Sequence, residues 1–212
     1  MRSEFKYLFE IRKLPLLLDL LHSVGTRDVH AKTKPYAVKS LYFDSLNLAA
    51  YTEKMEGVFS RHKYRIRFLA NTTRLEKKCK EGILGYKERY IFGQEPNDVF
   101  LTFSGLVNQN KLFPILTISY VRHAFIVGDS RITIDTGLRA SAHQFSREIC
   151  PGTFVLEVKF INGYLPQSIL HIIRELNGNR VAFSKYCKGV ECIYGRSFQQ
   201  VIPERFSLNT LN

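Results

Sequence analysis

Hydrophobic and polar positions alternate with a period of two over most of the chain, which predicts a strand-rich fold. Phe5 and Tyr7 alternate with Glu4 and Lys6, and Tyr64, Ile66 and Phe68 with Lys63, Arg65 and Arg67. Ile132 and Ile134 alternate with Arg131, Thr133 and Asp135; Phe154, Leu156, Val158 and Phe160 share a segment with Glu157 and Lys159. Glu76 and Lys78 share a face, as do Lys87 and Arg89, between less cleanly apolar neighbours. Three stretches carry helix signals instead. Pro15–His22 opens on proline, which costs nothing at a first helical position because that N–H is unpaired there. Leu46–Glu56 follows Asp44 and Ser45, either of which can cap, and stops at Gly57. Pro166–Asn177 has apolar residues at Ile169, Ile172, Ile173 and Leu176, with Gly178 just past its end. No linker, repeat or shift in composition interrupts the pattern, so residues 1–212 read as one domain.

In an ordinary half-buried strand the polar face carries mixed residues. Here it is charged again and again, with a cationic bias. Lys+Arg number 31 against 19 Asp+Glu, a net charge of +12, which points to a polyanionic partner. Cations at i, i+2 point the same way and repel, and like charges across neighbouring strands add to that cost. One such strand is a solvated face; several in one domain imply an anion that sits on them. The charged faces hold too much charge for a dry core, so they are expected to line a water-filled barrel or cleft.

Four cysteines at 79, 150, 187 and 192 are too few and too irregular for a disulfide framework, and they miss the paired spacing of a zinc site. A reducing cytoplasm suits them. No apolar run approaches the roughly 20 residues that span a bilayer, and Met1–Glu10 is charged throughout, unlike a secretory leader. His62, His123 and His143 lack metal-ligand spacing and read as surface or packing residues.

Several motifs occur together and in order: SEFKYL (3–8), SLYFDSLNLAAYTEKMEG (40–57), RHKYRIRF (61–68) and LEKK (75–78). They are followed by SYVRHAF (119–125), RITIDTGLRA (131–140), VLEVKF (155–160) with LP at 165–166, and SKYCKGVE (184–191). In this combination the chain resembles the VTC domain, the polyphosphate polymerase branch of the triphosphate tunnel metalloenzymes. The resemblance implies an α+β fold: an eight-stranded antiparallel β-barrel tunnel with helices packed outside. It implies that Lys6, Arg65, Arg67, Lys78, Arg122, Arg131, Lys159 and Lys185 are the tunnel cations that grip phosphates. Glu157 would hold a divalent metal, Mn²⁺ or Mg²⁺, with Glu4 and Glu76 as further ligands or counter-charges. Lys63, Lys87 and Arg89 point into the same face. Tyr42, Phe43 and Asp44 read as core and helix cap, and Asp135 as an orienting partner for an arginine.

Phosphoryl transfer asks a protein chiefly to position reactants and stabilise charge. A hydrolase must also activate water and benefits from several carboxylates; a polymerase uses a phosphate end that is already ionised. Hydrolytic tunnel enzymes open with E-x-E-x-K, whereas this chain has Arg2, Glu4 and Lys6 there. Fewer carboxylates favour chain extension from ATP onto inorganic polyphosphate, with ADP released. The alternatives are a tunnel triphosphatase, a non-catalytic binder of polyphosphate or inositol phosphates, and an RNA-binding module. A nucleic-acid partner is not expected, because Tyr64 and Phe68 lie opposite the arginines and cannot interleave with them for stacking. Threading of product through a bilayer would require a separate membrane partner.

Overall fold

A computed structural model of the chain describes residues 2–29, 34–69, 72–82, 84–92, 107–161 and 163–195. Packing divides the chain into two compact units. The first comprises Met1–Ala37, Tyr120–Leu138 and Glu148–Ser184; the second comprises Val38–Ser119, Arg139–Arg147 and Lys185–Asn212.

The strands are β1 (Arg2–Glu10), β2 (Thr26–Arg27), β3 (Tyr36–Asp44), β4 (Ser60–Leu69), β5 (Thr72–Glu81) and β6 (Leu84–Phe92). They continue with β7 (Phe113–Val127), β8 (Ser130–Ala142), β9 (Phe145–Glu148), β10 (Thr153–Ile161) and β11 (Asn179–Arg180). The helices are α1 (Leu14–Val24), α2 (Ala49–Glu56), α3 (Gln167–Glu175) and α4 (Lys185–Tyr194). The fold is therefore α+β, mostly antiparallel sheet with a few helices.

In the first unit the strand order is β11-β1-β10-β8-β7, with β2 on β7. Its core joins Phe9, Phe154, Phe160, Ile132 and Val158 of the strands to Leu17 and Leu21 of α1 and Ile169, Ile172 and Ile173 of α3. Ile132 and Val158 thus turn to the helices, as the alternation requires. Phe9 and Phe154 stack with centroids 5.4 Å apart. α3 ends with Asn177 at φ 49°, and Gly178 N–H donates to the Ile173 carbonyl at 2.8 Å. Gly178 is needed for its missing side chain, since a Cβ would come within 2.6 Å of Phe9 Cζ.

In the second unit the order is β7-β3-β4-β5-β6, with β9 on β8. A smaller core collects Leu41, Phe43, Tyr64, Ile66, Leu75 and Leu112. Among the described residues β6 and β11 each have one neighbouring strand. The pairing is an open ladder, so the closed eight-stranded barrel expected from the sequence is not what the hydrogen bonds describe.

Two helices differ from the sequence reading. α2 begins at Ala49 and not Leu46, because Leu48 takes a left-handed φ of 54° that ends a preceding turn. Asp44 then serves the helix start: Oδ1 accepts from the N–H groups of Ser45 (2.8 Å) and Ala50 (2.9 Å), and Oδ2 from that of Tyr51 (3.2 Å). Ser45 Oγ accepts from Ala49 N–H at 3.0 Å. The sequence reading contains no helix at α4, although Ser184 stands at its start, because Gly189 interrupts its helical propensity. That glycine is a packing requirement: a Cβ there would meet Ile118 Cδ1 at 2.5 Å.

Asp44 is 2% exposed and also accepts the Tyr186 hydroxyl hydrogen bond at 2.6 Å, joining α2 to α4. Asp44→Ala should destabilise the protein by about 2–4 kcal/mol, combining a lost cap with a stranded buried hydroxyl. Asp44→Asn should retain most of that stability in the same urea titration. Equal losses in the two variants would show that the carboxamide cannot stand in for the cap.

Candidate functional site

The first unit assembles its charges through strand register. Glu4 lies opposite Lys159 and Lys6 opposite Glu157 in the β1–β10 pair. Lys159 in turn faces Arg131, and Glu157 faces Thr133, across β10 and β8. Opposite charges therefore alternate over β1 and β10, while Arg131 of β8 stands against Lys159 as a like charge. Lys6 Nζ is 3.0 Å from Glu4 and 3.7 Å from Glu157; Lys159 Nζ is 3.3 Å from Glu4 and also bonds Glu157. Glu157 is 6% exposed. Lys6 further donates to the Phe183 carbonyl at 3.0 Å.

Two more arginines flank this lattice, and each has its own carboxylate. Arg122 holds Asp135 through a fork of two hydrogen bonds, 2.6 and 2.7 Å, with both residues buried. Burial disfavours the Arg122 cation, but Asp135 outweighs it and keeps Arg122 firmly protonated. Asp135 is thus an arginine partner, as the sequence indicated. Arg131 bonds Asp28, which is 3% exposed. Asp28 was missed from sequence because nothing local to its segment announces a partner on β8.

The second unit is different. Lys63, Lys78 and Lys87 stand in one row across β4, β5 and β6; Arg65, Glu76 and Arg89 form the next. The row beyond pairs Arg67 with Arg74. Like charges face each other here, and the carboxylate of Glu76 sits among them, 3% exposed. It bonds Arg65 at 2.7 Å through Nε and also through Nη2, and Arg89 lies at 3.6 Å. Burial would raise the Glu76 pKa, but Arg65, Arg67 and Lys87 overcome this and hold it down at about 2.

β3 supports the arginines from the other side. Tyr42 lies opposite Arg65 and Ser40 opposite Arg67 in register. Arg65 Nη1 donates to the Tyr42 hydroxyl at 2.8 Å. Burial would raise the Tyr42 pKa, yet Arg65, Arg67 and Lys185 bring it below the ordinary phenol value. Tyr42 stacks on Tyr186 of α4 at 5.3 Å, next to Lys185. Tyr42 therefore does more than fill core. Phe43 is core and Asp44 is a cap, as read.

The structure thus divides the expected site residues. Lys6, Arg122, Arg131, Lys159, Glu4 and Glu157 belong to the first unit; Lys63, Arg65, Arg67, Lys78, Lys87, Arg89, Lys185 and Glu76 belong to the second. Arg2 lies on β1, but its side chain is outside the described residues. Arg74 was missed, although the R-x-E-x-K alternation through Glu76 and Lys78 places it on the same face. Its Nε is buried without a hydrogen-bond partner.

Among the described residues no three His, Cys, Asp or Glu side chains converge as a metal cluster. Glu4 and Glu157 do meet, through the lysines they share. Thr133 Oγ1, beside Glu157 in register, is buried and has no hydrogen-bond partner. Mg²⁺-type sites use one or two carboxylates and complete their shell with water and substrate phosphates. Glu157, Glu4 and the orphaned hydroxyl fit that pattern. Glu76 is held by arginines.

The family model of the VTC domain matches residues 1–105 and 93–194. No curated protein matches the chain. Among solved structures, a putative adenylate cyclase from Bacillus halodurans superposes with a TM-score of 0.57 at 11% identity, over 86% of this chain and 95% of that one. The PH1819 protein of Pyrococcus horikoshii gives a TM-score of 0.56 at 14% identity, covering 89% and 96%. A putative adenylyl cyclase from Hippeastrum, described as having a dominant triphosphatase activity, gives 0.54 at 14%, covering 89% and 95%. At these identities the likeness is one of fold.

The Glu76 environment predicts an acid limb of stability. A carboxylate whose folded pKa is depressed stabilises the fold above its unfolded pKa, and the effect is lost as pH falls through the folded one. Glu76→Gln should therefore cost on the order of 2 kcal/mol at pH 7. That difference should shrink as pH falls from about 4.5 towards 2, followed by denaturant melts at each pH. A gap between parent and variant that stays constant to pH 2 would mean that Glu76 is not the group titrating there.

Proposed function

Because the chain belongs to the VTC domain family, we propose that it is an ATP-dependent polyphosphate polymerase. The observation that carries the reading is the face of Lys63, Arg65, Arg67, Arg74, Lys78, Lys87 and Arg89 with Glu76 buried among them. Cations set opposite cations on adjacent strands are a standing cost that bound anions remove. A chain of phosphates supplies anions at close, regular intervals. Arginine meets phosphate through two parallel hydrogen bonds and lysine as a point charge, so the mixture suits both gripping and sliding.

On this reading the cations of both units take part in binding, and both units function as one domain. Closure of the strands into the tunnel that the family resemblance implies is part of the proposal. Glu157, with Glu4, would hold Mn²⁺ or Mg²⁺, which when bound neutralises charge on the transferring phosphoryl group. The chain's own residues do the rest. Lys6 and Lys159 keep the two carboxylates close until a ligand competes for them. Arg65 is fixed on two sides by Glu76 and Tyr42, so its charge is held at a set position. Such preorganised charge needs no reorientation during transfer. The acceptor end of a polyphosphate is ionised and needs no general base; the scarcity of free carboxylates among these residues suits extension better than water activation.

A second reading, a triphosphatase, is favoured by the fold shared with the Hippeastrum protein. Incubation of purified protein with ATP and Mn²⁺, followed by gel separation, distinguishes them. The polymerase makes a ladder of long polyphosphate; free phosphate alone would establish the triphosphatase.

Two variants test the parts. Glu157→Gln should retain triphosphate binding, measured by the rise in melting temperature, yet lose on the order of a hundredfold in turnover. Near-parent turnover would reduce Glu157 to an ion-pair partner of Lys159. Arg67→Ala and Lys159→Ala, one in each unit, should each weaken binding of the same triphosphate. A loss from only one of them would confine the ligand to that unit.

A further inference from the structure

Lys63 differs from the other cations of its row. Its Nζ does not stand out in solvent like the exposed Lys78 and Lys87. It hydrogen-bonds Cys187 Sγ at 3.5 Å and lies 5.1 Å from the centre of the Tyr186 ring. β4 and α4 of the second unit bring these residues together across 124 positions of sequence. The sulfur is held in place from both sides. Tyr186, the preceding residue, is bonded to Asp44 and stacked on Tyr42, and Gly189, two residues on, packs against Ile118. α4 therefore cannot turn Cys187 away from Lys63 without breaking buried contacts.

An amine beside a cysteine sulfur has a specific chemistry. A sulfenic acid condenses with a nearby nitrogen to a sulfenamide, and thiols reverse the reaction. We propose that Lys63 and Cys187 are a modification site at which peroxide drives a reversible sulfur–nitrogen cross-link between β4 and α4. In the first step the Cys187 thiol takes one oxygen from hydrogen peroxide, giving the sulfenic acid and water; sulfur is oxidised and the peroxide O–O bond is reduced. In the second step the neutral Lys63 amine attacks sulfur. The S–N bond forms, the S–O bond breaks, and hydroxide leaves with the amine's proton as a second water. The linked protein has lost two hydrogens in total. An external thiol restores it by attacking sulfur and releasing the amine, with a second thiol completing the reduction.

Burial favours the reactive form of the amine. Loss of solvent lowers the Lys63 pKa, against the opposing influence of Cys187 and Tyr42, and so raises the fraction of neutral amine. Cys187 is 3% exposed, whereas Lys63 is only half-buried, so a molecule as small as peroxide approaches from the lysine side. Contact at 3.5 Å gives the second step the advantage of an intramolecular reaction over attack by free thiols or by more peroxide. Linkage also removes the Lys63 charge from the row it shares with Lys78 and Lys87. That consequence rests on the phosphate-binding reading; the cross-link does not.

The test uses the full chain. Protein treated with hydrogen peroxide is alkylated at its free thiols, digested with trypsin and mapped by mass spectrometry. Cys187 should escape alkylation, cleavage after Lys63 should be lost, and the peptides carrying the two residues should appear joined, two hydrogens below their summed mass. Dithiothreitol should restore both. Lys63→Arg keeps the charge without the amine, so it should leave Cys187 as a sulfenic acid that dimedone traps; Cys187→Ser should give no linked peptide. Oxidised Cys187 with normal cleavage after Lys63 in the parent would overturn the proposal, as would Cys187 that remains fully alkylated. Linked protein should bind triphosphate severalfold more weakly than the reduced form. If the linked peptide forms and affinity is unchanged, the cross-link stands and Lys63 has no part in phosphate binding.

Discussion

The second unit depends on one buried ion pair, Arg65 with Glu76. Cross-strand register places lysine against lysine and arginine against arginine over β4, β5 and β6. Such a sheet face resists its own formation. A single carboxylate at 3% exposure, held ionised down to a pH of about 2, offsets part of that repulsion and fixes the guanidinium of Arg65. Removing one partner of such a pair is far more damaging than the pair is stabilising, because the remaining charge is stranded. The pair is thus a condition for the cationic rows around it to coexist in one sheet.

A second constraint ties those rows to the helices. Asp44 accepts from the start of α2 and from the Tyr186 hydroxyl, while Tyr42, two residues earlier, accepts from Arg65 and stacks on Tyr186. The Y-F-D and S-K-Y motifs therefore meet in space. Burial and the adjacent Asp44 keep the Tyr186 hydroxyl protonated far above the usual range, so it remains a donor at any working pH. What looks in sequence like two separate signatures is one polar network that ties the start of α2 to α4. The same network presents Cys187 to Lys63.

The two units handle charge in contrasting ways. In the first, Lys6 and Lys159 each have carboxylates opposite and beside them, so the lattice of Glu4, Lys6, Glu157 and Lys159 is close to self-neutral. Arg122 and Arg131 likewise have Asp135 and Asp28. In the second, cations outnumber the carboxylate on their face among the described residues. This division accords with phosphoryl transfer. Holding a polyanion needs surplus positive charge, whereas holding a divalent cation needs carboxylates whose lysine partners can be displaced.

The sequence by itself determined the strand-rich class, the charged and apolar faces, and the three helices that proline, glycine or capping residues announce. These are local matters, since the period of two and the cap chemistry lie within a few residues of each other. The site was legible in the same way: the cations and glutamates occupy alternate positions, and Asp135 was readable as an arginine partner. Only the tertiary structure decided which carboxylate serves which cation. Glu76 and Glu157 look alike in sequence, E-x-K in each case, yet register gives one two arginines and the other two lysines with an orphaned hydroxyl. Asp28 and Tyr42 acquire their roles from strands distant in sequence, through Arg131 of β8 and Arg65 of β4. α4, with a glycine at 189, is secured by packing of its buried side, Tyr186, Cys187, Gly189 and Val190. Pairing across a sheet is set by which strands become neighbours, and that information is spread over the whole chain.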